Sequence, residues 1–368
     1  MNRYKTKRIF LIMQRFLKIL FSGFVLYLVS FLVVSPEPCL AAARESLSLC
    51  AQTVIPVLFP FFVCSGLLSA LGFSSLCSHF LSPIMRPLFN LPGSGAITFF
   101  MGILSGYPVG AATAASLYSS GHCTKTEAER MLAFCNNSGS LFVIGVVGCS
   151  YLESPLLGRY LYISHIIAAV LTGILFRFYK GTSENNRTLP PSADTNKKAA
   201  LFSLGSIIDS SVFSILKVCG FVIFFAVFTS TLPRNPFLYP LVEIVGGLKV
   251  LAELESRLTL PLISFFLALS GVSVMFQVSA ITAPHGLSLK PYILGKLCQG
   301  LISSGLTYLL LKAFPVTTET FHTDTFVTEI FTSPFGAALS SLVSIILAVA
   351  VLLFLSVMVS FLRRKPRL

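Results

Sequence analysis

Apolar positions run in blocks, not in the spaced stripe of a surface helix. The blocks cover residues 19–34, 54–73, 96–118, 156–176, 207–232, 260–280, 292–314 and 337–362. Apolar runs of about twenty residues predict helices that cross a hydrocarbon layer roughly 30 Å thick. The chain therefore reads as an all-α polytopic membrane protein with about eight transmembrane helices. Three further pieces, 74–92, 124–152 and 237–251, are too short or too broken to span. Re-entrant hairpins or interfacial helices are the physical options, because irregular backbone at membrane depth needs protein or water around its amides. Two of the long blocks carry interruptions: Ser105-Gly106-Tyr107-Pro108 in one, Ser270-Gly271 in the other. Within 124–152, residues 124–134 read as an amphipathic helix. Thr124 or Thr126 is its cap, and Glu127 and Glu129 suit its positive end.

Charge orders the blocks. The chain has 368 residues, 54 % of them hydrophobic and only 11 % charged, with a net charge of +13. That excludes an ordinary soluble enzyme and a disordered chain. Fifteen of the 27 basic residues fall in three clusters: 3–18 at the start, 177–198 around a polar middle stretch, and 363–367 at the end. Cytoplasmic loops of membrane proteins collect Lys and Arg. Four spans on each side of the middle stretch place all three clusters, and both termini, in the cytoplasm. The Thr-rich loop after residue 315 carries Glu319, Asp324 and Glu329 without Lys or Arg and falls outside. The first block also fits a cleaved signal ending near Ala41–Ala43; the membrane segments that follow favour a retained helix. No basic cluster is interleaved with aromatics as base stacking requires, so nucleic acid is not an expected partner. Nine cysteines without a CxxC pair and five scattered histidines predict no metal site.

The halves resemble each other weakly. "VLFPFFVCSGLLS" pairs with "GFVIFFAVFTST", "LFNLPGSG" with "LVEIVGG", and "FFMGILSG" with "FFLALSG", in the same order. With the span count above, the two copies run in opposite directions. Inverted repeats with interrupted helices at matching positions mark secondary transporters, which bind substrate near the midplane.

The segments "VIPVLFPFFVCSGLL", "PIMRPLFNLPGSG", "GILSGYPVGA", "EAERMLAFCNNSGSLFVIGVVG" and "SVMFQVSA" resemble the sporulation integral membrane protein family. That family carries paired nucleoside-recognition (Gate) domains and is related to the concentrative nucleoside transporters. The resemblance covers roughly residues 45–300 and is closer in the first half. It implies a transporter of endospore-forming bacteria that moves dipicolinate, an aromatic dicarboxylate, out of the mother cell across the outer forespore membrane. The implied organisation is a basic segment with a first membrane helix (1–40), one Gate-like repeat (41–180), a polar cytoplasmic linker (181–200), a second, inverted repeat (201–315), and an acidic outside loop with the last helix and tail (316–368).

Candidate substrate-binding residues follow from the interruptions. Pro108 lacks an amide and Gly106 is permissive, so the helix breaks at Ser105–Pro108, and freed N–H groups there suit a carboxylate. Tyr107 can stack on an aromatic ring. The plain alternative is a proline kink filled by neighbours. Asn136, Asn137, Ser138 and Ser140 form an uncharged polar cluster that suits a substrate or a cation, or else a solvated turn. Glu243, followed by Gly246-Gly247, is a carboxylate inside an apolar segment, which makes it the expected proton carrier or cation ligand, or else a residue at the membrane interface if the short segment is not deep. Ser270, Gly271 and Gln277 lie on the block that mirrors the broken one, where small residues also serve close packing. Lys249 and Arg86 are the expected positive charges for an anion.

The expected function is secondary transport of a small anionic substrate across the bilayer by alternating access, coupled to a proton or sodium gradient and without a bound cofactor. Alternatives are transport of a nucleoside or other metabolite, or a non-transporting subunit of a spore-envelope complex. Oligomer formation is compatible with all of them. No GxxxxGK[ST] motif occurs and no nucleophile–base set is visible, so no enzyme is expected.

Overall fold

The computed structural model describes residues 22–23, 25–71, 73–180, 204–254 and 256–314, and the elements among them are all helical. The basic N-terminal cluster, the linker, the acidic loop, the last apolar block and the tail lie outside the described residues.

Helix α1 (Val25–Val34) meets α2 (Pro36–Leu49) at a bend of 103°. A π-helical turn (Cys50–Val54) carries α2 into α3 (Ile55–Ala70). Next come α4 (Phe73–Phe89), α5 (Gly95–Ser105), α6 (Val109–Ser119), α7 (Lys125–Leu132), a π-helical stretch (Leu141–Tyr151) and α8 (Pro155–Phe176). The second half holds α9 (Leu204–Ser230), α10 (Leu238–Val242), α11 (Ile244–Ala252), α12 (Thr259–Leu269), α13 (Gly271–Thr282) and α14 (Lys290–Ala313).

The expected spans are met in part. Among the described residues four helices are long and apolar enough to cross a membrane: Pro155–Phe176, Leu204–Ser230, Thr259–His285 and Lys290–Ala313. The bent pair α1–α2 makes a fifth if it counts as one span. Pro36 explains the bend, since it offers no amide to the turn before it. Block 54–73 condenses to the 16 residues of α3, about 24 Å long at 1.5 Å per residue, short of a full crossing. Block 96–118 is two eleven-residue helices, α5 and α6, meeting at the expected break. Segment 74–92 is mostly one helix, α4, despite Pro83 and Pro87 inside it.

Two groups of helices enclose the broken ones. In one, α8, α12 and α14 pack together. Ser303 on α14 and Ser264 on α12 share a hydrogen bond (2.7 Å), and Thr307 donates to Ser264 (2.8 Å). Gly300 lets α14 close on Phe265, which lies 2.9 Å from where a Cβ would stand. Small residues and hydroxyls are how helices associate where apolar burial gives no preference for protein over lipid. In the other group, α2 and α3 pack on α9, and Cys50 of the π-helical turn clusters with Leu58, Phe62, Ile215 and Val222. Between the groups α6 touches α13, and α13 touches α9. Nine of the eleven residues of α5 are buried, so this short helix is surrounded by protein, which is what its interrupted backbone requires.

Helix α7 is capped as expected. The Thr124 amide donates to Glu127 (2.8 Å) and the Glu127 amide donates back to Thr124 Oγ1 (3.3 Å). Glu129 does other work. It is 1 % exposed, and accepts from Lys180 Nζ (2.8 Å) beyond the end of α8 and from the Ser288 amide (3.0 Å) before α14. The carboxylate holds the Lys180 ammonium above its usual range. Arg130 donates to the carbonyls of Asn90 and Tyr179. These bonds fasten both halves of the chain at one end of the molecule.

Candidate functional site

The two interrupted helices converge. At the α5–α6 break, Ser105 Oγ donates to the Met101 carbonyl (2.6 Å), and Gly106 stands at φ +88°, ψ −174°. That region is open essentially to glycine alone. The following peptide, Tyr107–Pro108, is cis. At the α12–α13 break, Ser270 and Gly271 both have positive φ, +66° and +73°. A Cβ on Gly271 would stand 3.0 Å from the Pro240 carbonyl and 3.3 Å from that of Leu241. This break therefore rests on the C-terminal carbonyls of α10.

Glu243 joins α10 to α11 and is 5 % exposed. One of its oxygens accepts from the Val245 amide (2.9 Å), the other from the Gly246 amide (2.7 Å). It is thus the N-cap of α11, and its charge faces the positive helix end. Gly246 leaves space for the carboxylate. Gly247 packs on Pro240, whose Cα would be 2.3 Å from an added Cβ.

A cavity of about 110 Å³ opens where these pieces meet. Ser105, Gly106 and Tyr107 form one wall; Ser273 and Gln277 of α13 form another; Glu243 closes a third side. Leu58, Phe142, Val218 and Val222 give it an apolar face. Tyr107 Oη is buried and has no hydrogen-bond partner among the described residues. Of the expected site residues, Ser105, Gly106, Tyr107, Glu243 and Gln277 line this cavity. Pro108, Asn136, Asn137, Ser138, Ser140, Gly246, Gly247, Ser270 and Gly271 do not, although Gly139, inside the Asn136–Ser140 cluster, does.

The Asn136–Ser140 loop is buried, not solvated. It lies in a groove cut by Gly102, Gly106 and Gly110, spaced four residues apart. An added Cβ at Gly102 or Gly110 would stand 1.7 Å or 2.1 Å from the Cys135 carbonyl, and at Gly106 2.7 Å from the Gly139 amide. On its far side α14 presses in at Gly295, 2.3 Å from the Ala133 carbonyl by the same measure.

That far side holds residues the sequence reading passed over. Asn137 donates to the Phe134 carbonyl (2.9 Å) and accepts from Gln299 Nε2 (2.8 Å). The Ser138 amide donates to His165 Nε2 (3.1 Å), and Ser138 Oγ donates to the Leu267 carbonyl (3.1 Å). Gln299 Oε1 accepts from Lys296 Nζ (2.8 Å). Lys296 is 1 % exposed within α14 and forms no ion pair among the described residues. His165 Nδ1 has no partner among them either. The expected cations behave otherwise: Arg86 is exposed, and Lys249 is exposed beside Glu45 at 3.9 Å. A legible signal for Lys296 existed. Tyr292, Lys296, Gln299, Ser303 and Thr307 recur at helical spacing inside an apolar block, so they share one face. Among the described residues no group of three His, Cys, Asp or Glu could hold a metal ion.

Residues 51–176 match the Gate model, described as nucleoside recognition. The chain is 30 % identical over 337 residues to the sporulation integral membrane protein YlbJ of Bacillus subtilis (strain 168), spanning 80 % of this chain and 83 % of that protein. It is 26 % identical over 166 residues to an uncharacterized protein of Alkalihalophilus pseudofirmus, covering 40 % of this chain and 35 % of the other. No solved structure matches.

Proposed function

The chain belongs to the family of the sporulation integral membrane protein YlbJ, and on that footing we propose that it is a secondary transporter of dipicolinate. It carries this small aromatic dicarboxylate from the mother cell toward the developing spore by alternating access. Its place is the outer forespore membrane, with both termini in the cytoplasm. We read α5–α6 and α12–α13 as corresponding positions of two inverted repeats, with eight spans in the whole chain.

The observation that carries this reading is the cavity between the two breaks. Interrupted helices meeting around a buried, part-polar space are the arrangement in which transporters hold a substrate at the midplane. A cavity of roughly 150 Å³ holds benzene, so a space of about 110 Å³ must widen for an aromatic dicarboxylate, and widen further for a nucleoside, which adds a sugar to its base. The apolar face supports a ring, and the polar lining of Ser105, Tyr107, Ser273 and Gln277 offers neutral hydrogen-bonding groups beside the Glu243 carboxylate.

The match of residues 51–176 to the nucleoside-recognition model favours a second reading, transport of a nucleoside. Equilibrium binding of labelled dipicolinate to the purified protein separates the two. Displacement by unlabelled dipicolinate and not by a mixture of nucleosides is expected. Displacement by nucleosides, or no saturable binding of dipicolinate, would overturn the proposal.

A further inference from the structure

We infer that Lys296 is the proton-carrying residue that couples transport to a proton gradient, and that it acts on the cavity through the Asn136–Ser140 loop. The inference rests on the transport reading and supplies its coupling ion.

Hydrogen-bond arithmetic singles out Lys296. An ammonium has three donors, and here one acceptor, Gln299 Oε1, is provided. No carboxylate lies within ion-pair distance among the described residues. A charge at membrane depth normally pairs with another, and one that does not marks a functional group. The ionisable groups facing it are few. Cys135 faces it from the loop after α7, and His165 from α8. Helix α12 contributes none between Thr259 and Leu269. On α7, Lys125 is exposed, and Glu127, Glu129 and Arg130 are bonded elsewhere. Glu243 differs in kind, since both its oxygens are taken by amides of its own helix.

The connection to the cavity is continuous. Lys296 bonds Gln299, Gln299 bonds Asn137, and two residues on, Gly139 is a cavity wall against Gly106. Ser138 ties the same loop to Leu267, three residues before the other break. Gln299 Nε2 also points at the His165 carbonyl (3.4 Å). When Nζ loses its proton to water it becomes an amine with two donors and a lone pair. The amine still has a donor for Gln299 Oε1, but the bond loses its charge assistance, so the hold on Gln299, and through it on Asn137 and the loop between the two breaks, weakens. Only an N–H bond is broken, and the proton returns from water on the other side.

Two measurements test this in the full chain. In proteoliposomes, the wild type should move labelled dipicolinate faster with an imposed pH gradient than without. In Lys296→Gln the two rates should be equal, with exchange of labelled for unlabelled dipicolinate retained. Gln299→Glu, which gives Lys296 a fixed counter-charge and removes the amide that donates to Asn137, should also make them equal. A gradient response that survives Lys296→Gln overturns the inference. Difference titration of the purified protein is independent of flux. The wild type should release one more proton than Lys296→Gln across the pH range over which its flux responds to the gradient. Superimposable curves overturn the inference whether or not dipicolinate moves. An extra proton without dipicolinate flux would sink the transport reading alone.

Discussion

Adding one methyl group at Gly106 tests the geometry on which the site depends. Gly106→Ala would set a Cβ 2.7 Å from the Gly139 amide nitrogen and 3.1 Å from its Cα, both backbone atoms that cannot rotate away. The position also stands at φ +88°, ψ −174°, where any side chain is strained by about 1–3 kcal/mol. Overpacking of a filled interior adds about 1–3 kcal/mol. The combined cost is about 2–6 kcal/mol, a large share of the 5–15 kcal/mol that typically separates folded from unfolded protein. Gly102→Ala isolates the steric part. Its φ is ordinary, yet the Cβ would fall 1.7 Å from the Cys135 carbonyl. Gly305→Ala on α14 is the control, with nothing within 4 Å of the new atom; helix propensity favours alanine there by up to about 1 kcal/mol. Thermal unfolding of the three purified variants, read by loss of helical dichroism, should lower the melting temperature by several degrees for Gly106→Ala and Gly102→Ala and not for Gly305→Ala. Equal melting of all three would refute the claim that the loop is seated in the glycine groove.

Three other substitutions probe separate contacts. Glu243→Gln leaves one oxygen for two amides and turns an NH₂ group toward the other, so thermal unfolding should show a loss of about 1.5–3 kcal/mol; an unchanged melting curve would mean that the carboxylate does not cap α11. Glu129→Gln removes the charge that Lys180 pairs with and should cost about 1–3 kcal/mol, visible as faster proteolysis at the end of α8; identical cleavage would contradict the fastening of the two halves there. Tyr107→Phe deletes a hydroxyl that has no partner among the described residues, so the fold should be kept or slightly stabilised while dipicolinate binding weakens, and unweakened binding would remove Tyr107 from the site.

The sequence carried the helical class, the membrane setting and both helix breaks, because each rests on local chemistry. Pro108 and Gly106 interrupt one apolar block wherever it folds, and Ser270-Gly271 the other. The capping box of α7 was legible for the same reason. The shape of the first blocks was less legible, since apolar length alone does not show that Pro36 bends the chain by 103° or that block 96–118 divides into two short helices, α5 and α6. At the site, Glu243 was found by being a carboxylate in an apolar stretch, but its amide partners were hidden in the backbone of α11. Lys296 was missed because a single lysine in an apolar block looks like one that reaches for the interface. Its burial depends on Gln299 next to it and on Asn137, 162 residues away from Gln299, and sequence proximity does not report that pairing.

The most direct test of the account is flux of labelled dipicolinate through proteoliposomes containing the purified full-length protein. The account predicts saturable flux well above that of protein-free vesicles, suppressed by excess unlabelled dipicolinate. Flux no faster than through empty vesicles, with the protein folded by its melting transition, would contradict it.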